Sequence, residues 1–228
     1  MKRIVIIPAF NESESIAKTV SNIRRFAPDY DIIVVNDCSK DKTLDICRRN
    51  DIPVLDLPVN LGIGGAVQTG YLYALKNDYD IAIQMDGDGQ HDARYLSLME
   101  ETLVRENADM VIGSRFIKKE GFQSSGIRRV GIGIFRFLSG CLFGKPITDA
   151  TSGMRMCNRR TIELFVKDYP RDYPEPETAC RLLRKHYKIV EVPVVMHERE
   201  TGESSISMRK SVYYMVKVTL AILIERLR

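Results

Sequence analysis

The stretch IAIQMDGDGQHD, residues 81–92, joins a run of apolar residues directly to a cluster of carboxylates. Residues 81–85 have the composition of a short buried strand. Asp86, Asp88 and Asp92 follow directly. Gly87 separates Asp86 from Asp88, and Gly89 separates Asp88 from Gln90. Clustered like charges repel, and their burial is costly unless something compensates for it. A cation is the usual compensation, so this stretch predicts a cation site at the end of a core strand.

The residue types in this cluster indicate which cation it would hold. Asp86 and Asp88 are two residues apart, so in an extended segment their side chains share one side. Hard oxygen ligands without thiols favour Mg²⁺ or Mn²⁺, and Gln90 adds a further oxygen ligand. Gly87 would let a phosphate approach the backbone. We expect a metal on Asp86, Asp88 and Gln90 that also binds phosphate; the alternative is an acidic surface turn.

The same change from an apolar run to polar residues recurs along the chain. Predicted strands lie at residues 3–8, 31–35, 52–57, 79–85, 110–113 and 188–196, and predicted helices at 16–23, 42–47, 62–75, 95–104, 126–143 and 176–187. Alternating strands and helices predict a parallel sheet with right-handed crossovers. We expect one α/β domain over residues 1–205 and a separate amphipathic helix over residues 206–228.

Ligands of such sheets bind beyond the carboxyl ends of the strands, where this chain keeps polar residues. Residues 8–12 follow the first predicted strand and Asp37 follows the second. A carboxylate at 37 could accept the imide N–H of uracil, or it could cap the next helix. The segment 60–65 is rich in glycine but is not GxGxxG, so its glycines suit a helix N-terminus that approaches a diphosphate.

Composition limits the class of protein and of partner. The 228 residues are 44% hydrophobic and 28% charged, as in ordinary globular proteins. Residues 126–160 hold seven Lys or Arg against one Asp, and residues 205–228 hold five against one Glu. Both segments are also apolar, which suits an anionic partner such as a membrane surface or a phosphate; solvated helix faces are the alternative. The chain has five cysteines without a CxxC pair and no export signal. We therefore expect reduced thiols and a location in the cytosol.

Together these segments resemble family 2 glycosyltransferases of the GT-A fold, most closely the polyprenyl-phosphate and dolichyl-phosphate sugar transferases. The matching segments extend from residue 7 to about residue 205 and are IPAFNE (7–12), NDCSKDKT (36–43), NLG (60–62), DGDGQH (86–91), GSR (113–115), DATSGMR (149–155) and RETGES (199–204). The resemblance implies a GT-A, Rossmann-like, mostly parallel sheet flanked by helices, with C-terminal amphipathic helices.

The resemblance also implies a role for individual residues. A nucleotide-diphosphate-sugar donor would be contacted by Pro8, Phe10, Glu12, Val35, Asp37, Gly65, Asp86, Gly87, Asp88 and Arg115. Arg115 would face the diphosphate or the acceptor phosphate, and Arg129 and Arg199 would help to hold phosphates. Two positions depart from the family: Asn36 stands where many relatives have Asp, and Ser205 stands where they often have Lys.

The implied reaction is the metal-dependent, inverting transfer of a hexose from a UDP-sugar to polyprenyl phosphate, in the synthesis of cell-surface polysaccharide or glycoconjugates. A lipid phosphate is already an anionic nucleophile and needs no strong base. A sugar hydroxyl acceptor would need one, for which Glu175 and Glu177 are candidates, although both also suit a helix N-terminus. The further alternatives are a sugar-nucleotide pyrophosphorylase and a non-catalytic nucleotide-sugar-binding protein. No nucleic acid partner is expected.

The last segment of the chain indicates how a lipid acceptor could be reached. From residue 207 onward, apolar residues recur at i, i+3 and i+4 spacing, and basic residues lie roughly opposite. Lys217 and the short apolar run argue against a spanning helix, so we expect a helix in the plane of the membrane interface. Packing on the protein's own core is the alternative. The pattern predicts a peripheral protein at the inner face of the cell membrane, helped by a small integral membrane protein.

Overall fold

The computed structural model of the chain describes residues 1–118, 120, 126–171 and 174–198. Two predictions lie outside these residues: the phosphate contact of Arg199, and the separate helix over residues 206–228 with its boundary at residue 205. Within the described part of the chain, no helix is both long enough and apolar enough to cross a membrane.

Strands and helices alternate through most of the described residues. The strands are β1 (Arg3–Ala9), β2 (Asp31–Asn36), β3 (Val54–Asp56), β4 (Ile81–Gln84), β5 (Met110–Ser114), β6 (Arg155–Asn158) and β7 (Ile189–Pro193). The helices are α1 (Ile16–Phe26), α2 (Thr43–Arg49), α3 (Gly62–Lys76), α4 (Leu96–Arg105), α5 (Gly126–Phe143), α6 (Arg159–Lys167) and α7 (Pro174–Arg184). Most predicted elements are present with ends shifted by a few residues.

The strands form one seven-stranded sheet in the order β3-β2-β1-β4-β6-β5-β7. All neighbouring strands are parallel except β6, which is antiparallel to both β4 and β5. The predicted mostly parallel α/β sheet is therefore confirmed. Neither β6 nor α6 is among the elements predicted from the sequence. The β6 segment RMCN gives little signal because it is short and mixes polar and apolar residues without a clear period.

Helices cover both faces of the sheet because successive strand residues point to opposite sides. Ile4 and Ile6 of β1 pack on the side of α3, α6 and α7. Val5 and Ile7 pack on the opposite side, against α1 and α4. A sheet buried on both faces reads as continuous apolar runs, which is why the strands were recognisable in the sequence.

Candidate active site

The loop after β4 meets the loop after β1 at Gly87. A Cβ atom at position 87 would lie 3.4 Å from the Glu12 Cγ and 3.4 Å from the Pro8 carbonyl oxygen. Thr19 of α1 donates to the Gly87 carbonyl at 3.1 Å. The adjacent strands β1 and β4 thus deliver two distant polar segments to one place at the carboxyl edge of the sheet, as the sequence predicted.

Asp37, at the end of β2, joins this edge to the start of α3. It is 3% exposed, and its Oδ1 accepts the backbone N–H of Leu61 at 2.7 Å. Its own N–H donates to the Ala9 carbonyl at 2.9 Å. Asp37 does not cap α2, which has Lys42 at its N-cap and a bond from the Thr43 N–H to Asp41. The carboxylate therefore fixes the loop that precedes α3.

Asn36 pairs through its side chain with the neighbouring strand. Its Nδ2 donates to Asp56 Oδ1 at 2.7 Å, and the residue is 1% exposed. An amide donates to a carboxylate where a second carboxylate would repel it. This pair gives a physical reason for Asn at a position where the family often has Asp.

The glycines at the start of α3 serve close packing within the chain. A Cβ at Gly64 would lie 2.2 Å from the Pro170 carbonyl oxygen, and the Gly64 N–H donates to the Arg171 carbonyl at 3.2 Å. A Cβ at Gly65 would lie 2.4 Å from the Leu61 Cβ. The first turn of α3 is thus partly occupied by main chain of the segment before α7, so approach to a diphosphate is not needed to explain these glycines.

The polar side chains of the loop after β4 are held by hydrogen bonds within the loop and by one to the segment after β7. Asp88 Oδ1 accepts the Gln90 N–H at 3.0 Å, and His91 Nδ1 accepts the Asp86 N–H at 3.0 Å. Gln90 Nε2 donates to the His197 carbonyl at 3.1 Å, which leaves Oε1 as the Gln90 atom that could bind a metal. The carboxylates of Asp86 and Asp88 remain partly exposed.

The segment after β7 is hydrogen-bonded to the loop after β4. His91 and Met196 form an antiparallel bridge, and the His197 N–H donates to the Gln90 carbonyl at 3.0 Å. Asp92 is 3% exposed, and its Oδ2 lies 3.5 Å from His197 Nε2. Arg94 is bonded to the same carboxylate and holds the pKa of Asp92 below its usual value, against the effect of burial. Residues just before Arg199 are therefore attached to the candidate metal loop.

The oxygen donors of Asp86, Asp88 and Gln90 fit Mg²⁺ or Mn²⁺ better than a softer metal. Among the described residues, no group of three or more His, Cys, Asp or Glu could hold a metal ion. Magnesium commonly uses one or two carboxylates together with substrate phosphates, so two carboxylates and an amide suit a metal that binds with its substrate.

Arg115, after β5, forms a buried ion pair with Asp149. Its Nε and Nη2 lie 2.7 Å from the two carboxylate oxygens, and Asp149 has no exposed surface. Glu191 of β7 accepts the backbone N–H groups of Thr148 and Asp149. Arg115 itself is 11% exposed at the side chain. Its predicted phosphate contact would therefore use the part of the guanidinium that Asp149 leaves accessible.

A second buried arginine organises the region around Glu175. Arg155 is 1% exposed and donates to the carbonyl oxygens of Ala150, Ser152 and Glu175. Burial raises the pKa of the Glu175 carboxyl, the nearby Arg155 opposes this, and the charge of Asp86 adds to it. Glu175 is thus close enough to the loop after β4 to interact with the charge of Asp86. Glu175 and Glu177 also lie in the first turn of α7, as expected if their role is to stabilise a helix N-terminus.

The remaining predicted residues differ in their exposure. Phe10 is 45% exposed beside the loop after β1, and Arg129 is exposed on α5. Val35 has no exposed surface because its side chain packs in the core, so the prediction that it contacts a donor has no support from the structure. Sequence reasoning gave no role to His91, Asp149, Gly153, Arg155 or Glu191. The signal of His91 was present in DGQHD and that of Asp149, Gly153 and Arg155 in DATSGMR, whereas Glu191 lies in neither segment. The contacts that give these residues a role are visible only in the tertiary structure.

Comparisons with known proteins agree with this arrangement. Residues 4–165 match the family described as "Glycosyl transferase family 2". The chain is 32% identical to an undecaprenyl-phosphate mannosyltransferase of Micrococcus luteus, over 91% of this chain and 88% of that protein. It is 29% identical to a polyprenol monophosphomannose synthase of Mycolicibacterium smegmatis, over 90% of this chain and 81% of that protein.

A solved structure with the same fold is that of glucosyl-3-phosphoglycerate synthase from Mycobacterium tuberculosis, in complex with Mn²⁺, uridine diphosphate and phosphoglyceric acid. The TM-score is 0.75 with 17% identity, over 99% of this chain and 78% of that one. At this identity the likeness establishes the fold, and it confirms the predicted GT-A sheet.

Proposed function

The chain belongs to glycosyl transferase family 2 and is a glycosyltransferase, and we propose that it moves a hexose from a nucleotide-diphosphate sugar, a UDP-sugar, to polyprenyl phosphate. We further propose that the transfer inverts the sugar's anomeric configuration and needs Mg²⁺ or Mn²⁺. The relatives named above carry polyprenyl-phosphate substrates in their names, and the solved structure of the same fold holds Mn²⁺ with uridine diphosphate.

One observation carries the proposal: the loops after β1, β2 and β4 meet at one edge of the sheet. Pro8 and Glu12 lie close enough to Gly87 that a Cβ there would be 3.4 Å from each, and Asp37 is bonded to both the Ala9 carbonyl and the start of α3. An exposed aromatic ring at Phe10 and a buried carboxylate at Asp37 suit the base and ribose, and the oxygen ligands at Asp86 and Asp88 suit a metal-bound diphosphate.

The chemistry follows from where negative charge grows. As the sugar–phosphate bond breaks, the nucleoside diphosphate gains negative charge, which a bound divalent ion would stabilise. Asp86, Asp88 and the Gln90 Oε1 would hold that ion at the diphosphate. The accessible part of Arg115 would add positive charge, and Asp149 keeps its guanidinium in place through two bonds of 2.7 Å. A phosphate acceptor attacks as an anion, so no side chain has to remove a proton.

The surface of α5 suits an acceptor that is both anionic and apolar. Arg129 is exposed there, and Ile134 and Phe137 are 43% and 69% exposed. A helix that exposes both apolar and basic side chains is typical of a surface that meets a lipid. This pattern favours a lipid phosphate over a soluble sugar.

We propose that the protein attaches peripherally to the inner face of the cell membrane. The support is the sequence pattern of residues 206–228, where apolar and basic positions separate at helical spacing. Apolar positions outside the main stripe suggest a further partner, for which a small integral membrane protein is our proposal.

The function is tested by incubating the protein and membranes with a panel of radiolabelled UDP- and GDP-sugars. We expect label from one UDP-sugar to enter the lipid phase in an acid-labile form, and EDTA to abolish the transfer. Label in a water-soluble saccharide or in long polysaccharide would contradict the lipid phosphate acceptor. Label only from GDP-sugars would contradict the donor, and no transfer with any donor would favour a non-catalytic binding protein.

Arg129→Ala is expected to raise the KM for polyprenyl phosphate by about tenfold or more, because a hydrogen bond to a charged group contributes roughly 1.5–3 kcal/mol. The KM for the donor should change less than about twofold, since the donor residues lie on other elements. Steady-state kinetics with each substrate varied in turn measures both. Arg105→Ala, at an exposed arginine of α4, is the matched control. A larger change in the donor KM than in the acceptor KM would contradict this assignment.

Glu175→Gln is expected to retain substantial activity with a phosphate acceptor, which needs no base.

The same substitution is expected to change how the free energy of unfolding depends on pH. The folded state raises the pKa of Glu175 above its usual 4.5, so it binds this proton more tightly than the unfolded chain. The stability that this provides is present below about pH 4.5 and is lost as pH rises through the folded pKa. Glu175→Gln should therefore lose less stability than the wild type as pH rises above about 4.5.

Urea unfolding at several pH values measures the pH effect, with Glu177→Gln as the matched control on the same helical turn. Near-complete loss of transfer in Glu175→Gln, with nucleotide binding and melting temperature unchanged, would identify Glu175 as a base and favour a sugar hydroxyl acceptor.

Deleting residues 207–228 is expected to release the protein from membranes and abolish transfer to lipid, while binding of the UDP-sugar survives. Cosedimentation with anionic vesicles and calorimetric titration of the nucleotide measure the two effects. A thermal melt shows whether the shortened chain is folded. If the folded, shortened protein still pellets with vesicles as the full chain does, the attachment lies elsewhere.

A further inference from the structure

We propose that His91 and Gly153 are positioning residues that hold Asp86 where the donor needs it: His91 fixes the main chain, and Gly153 leaves the space that the carboxylate occupies. The inference rests on the proposed function, in which Asp86 contacts the metal and the donor. Neither residue has to touch the substrate.

Asp86 needs such support because it lies just beyond the hydrogen bonds of the sheet. The Met85 N–H still donates to the Ile6 carbonyl of β1 at 3.0 Å. The Asp86 N–H instead donates to His91 Nδ1 at 3.0 Å. His91 is 4% exposed and is held by its bridge to Met196, so the acceptor is rigid. One buried ring thus replaces a neighbouring strand as the partner of this amide.

The geometry also determines the proton position on the His91 ring. Since Nδ1 accepts the Asp86 N–H, the proton of the neutral ring is on Nε2. Nε2 lies 3.6 Å from Asp86 Oδ2, so its positive end faces the carboxylate. The same ring therefore holds the main chain of Asp86 and attracts its side chain.

Gly153, between Asp149 and β6, forms the wall on the other side of the Asp86 carboxylate. A Cβ at position 153 would lie 2.7 Å from Asp86 Oδ2 and 2.9 Å from Oδ1. No real Cβ approaches an oxygen this closely, so any side chain at 153 would displace the carboxylate. About 37% of the Asp86 side chain stays exposed, which leaves it accessible to a ligand.

Gly153→Ala should therefore weaken Mn²⁺-dependent binding of UDP by about 10- to 100-fold, the usual effect of losing an outer contact of a metal site. The protein should stay folded, because the clash is with the end of a side chain that can rotate away. Gly133→Ala is the matched control, since a Cβ there would meet nothing within 4 Å. Calorimetric titration of UDP with Mn²⁺ measures the effect.

A double-variant cycle separates positioning from general damage. If Gly153→Ala acts through the Asp86 carboxylate, it should cost almost nothing further in an Asp86→Ala background, because the clashing atoms are gone. Additive losses in UDP binding would overturn the role of Gly153. Wild-type affinity in Gly153→Ala would overturn it as well.

Substitutions at His91 test the other contact. In His91→Asn the side-chain oxygen is the same number of bonds from the main chain as Nδ1 and can accept the Asp86 N–H, so UDP binding should be largely kept. His91→Leu removes the acceptor and should lose about 10- to 100-fold. Equal losses in the two variants, at similar melting temperatures, would overturn the role of His91.

NMR of the ligand-free protein gives a test that does not depend on the proposed function. Long-range ¹H–¹⁵N spectra should show His91 as the Nε2–H tautomer, with Nδ1 as a hydrogen-bond acceptor. The Nδ1–H tautomer would overturn the inference directly. If the tautomer is as expected but the wild type binds no UDP with Mn²⁺, the proposed donor is wrong while the support of Asp86 by His91 stands.

Discussion

Asp88→Asn is expected to reduce turnover by about 10²- to 10³-fold, the usual effect of removing one electrostatic stabiliser of a transition state. The change keeps the shape of the side chain, and its oxygen can still accept the Gln90 N–H that Asp88 Oδ1 accepts at 3.0 Å. The loop should therefore stay folded while the metal loses one ligand charge at the leaving diphosphate. Single-turnover transfer with saturating donor measures the chemical step.

Two controls make this result interpretable. Asp45→Asn changes the same charge at an exposed position of α2 and should leave turnover unchanged. Raising the Mn²⁺ concentration should recover part of the Asp88→Asn activity, because a weakened site fills at higher metal. Equal rates in EDTA and in Mn²⁺ for the wild type would contradict a role for metal at Asp88.

Arg155→Met is expected to lower the free energy of unfolding by about 3–5 kcal/mol, because several buried acceptors lose their donor at roughly 1–3 kcal/mol each. Arg155 is 1% exposed and donates to three carbonyl oxygens and to the Thr178 hydroxyl. Methionine fills much of the volume but leaves those carbonyl oxygens without a donor. It also removes the cation that lowers the pKa of Glu175. The melting temperature should fall by roughly 10 °C, at about 2–4 °C per kcal/mol for a domain of this size.

Urea unfolding measures the loss, and Arg105→Met is the matched control. Arg105 is 57% exposed and pairs with exposed Glu101 of its own helix and with Glu106, so the loss there should be at most about 1 kcal/mol. Arg155→Lys keeps the charge but not the planar set of donors. Its loss in free energy of unfolding should lie between those of Arg155→Met and Arg105→Met. If Arg155→Met is as stable as the wild type, the carbonyl oxygens find other donors and Arg155 does not organise this region.

The sequence was most informative where a feature is local and periodic. An apolar run followed by DGDGQ predicted both a core strand and the polar edge of the sheet, because burial on two faces requires consecutive apolar residues. The convergence of residues 8–12, Asp37 and the β4 loop followed from parallel topology alone. The family segments then added a prediction of which residues contact the donor, which no periodicity could supply.

The sequence was least informative where a residue's role depends on a distant partner. β6 pairs antiparallel between β4 and β5, and nothing within RMCN indicates that its neighbours lie about 40 and 70 residues earlier in the chain. Arg115 is predicted to face phosphate, and only the structure shows that Asp149, 34 residues away, is its buried bidentate partner. Val35 is predicted to contact the donor, and only the structure shows that its side chain packs in the core.

By itself, then, the sequence determined the strand–helix order, the edge of the sheet that carries the site, and the oxygen-rich loop at residues 86–90, because all three follow from short-range patterns of polarity. Only the tertiary structure decided that His91 and Gly153 enclose Asp86, that Asp149 holds Arg115, and that Arg155 and Glu175 share one buried region. Most of those relations are distances between residues far apart in the chain, and they come from the packing of loops and helices on the sheet. His91 and Asp86 are close in sequence, but a polarity pattern does not show that the His91 ring accepts the Asp86 N–H.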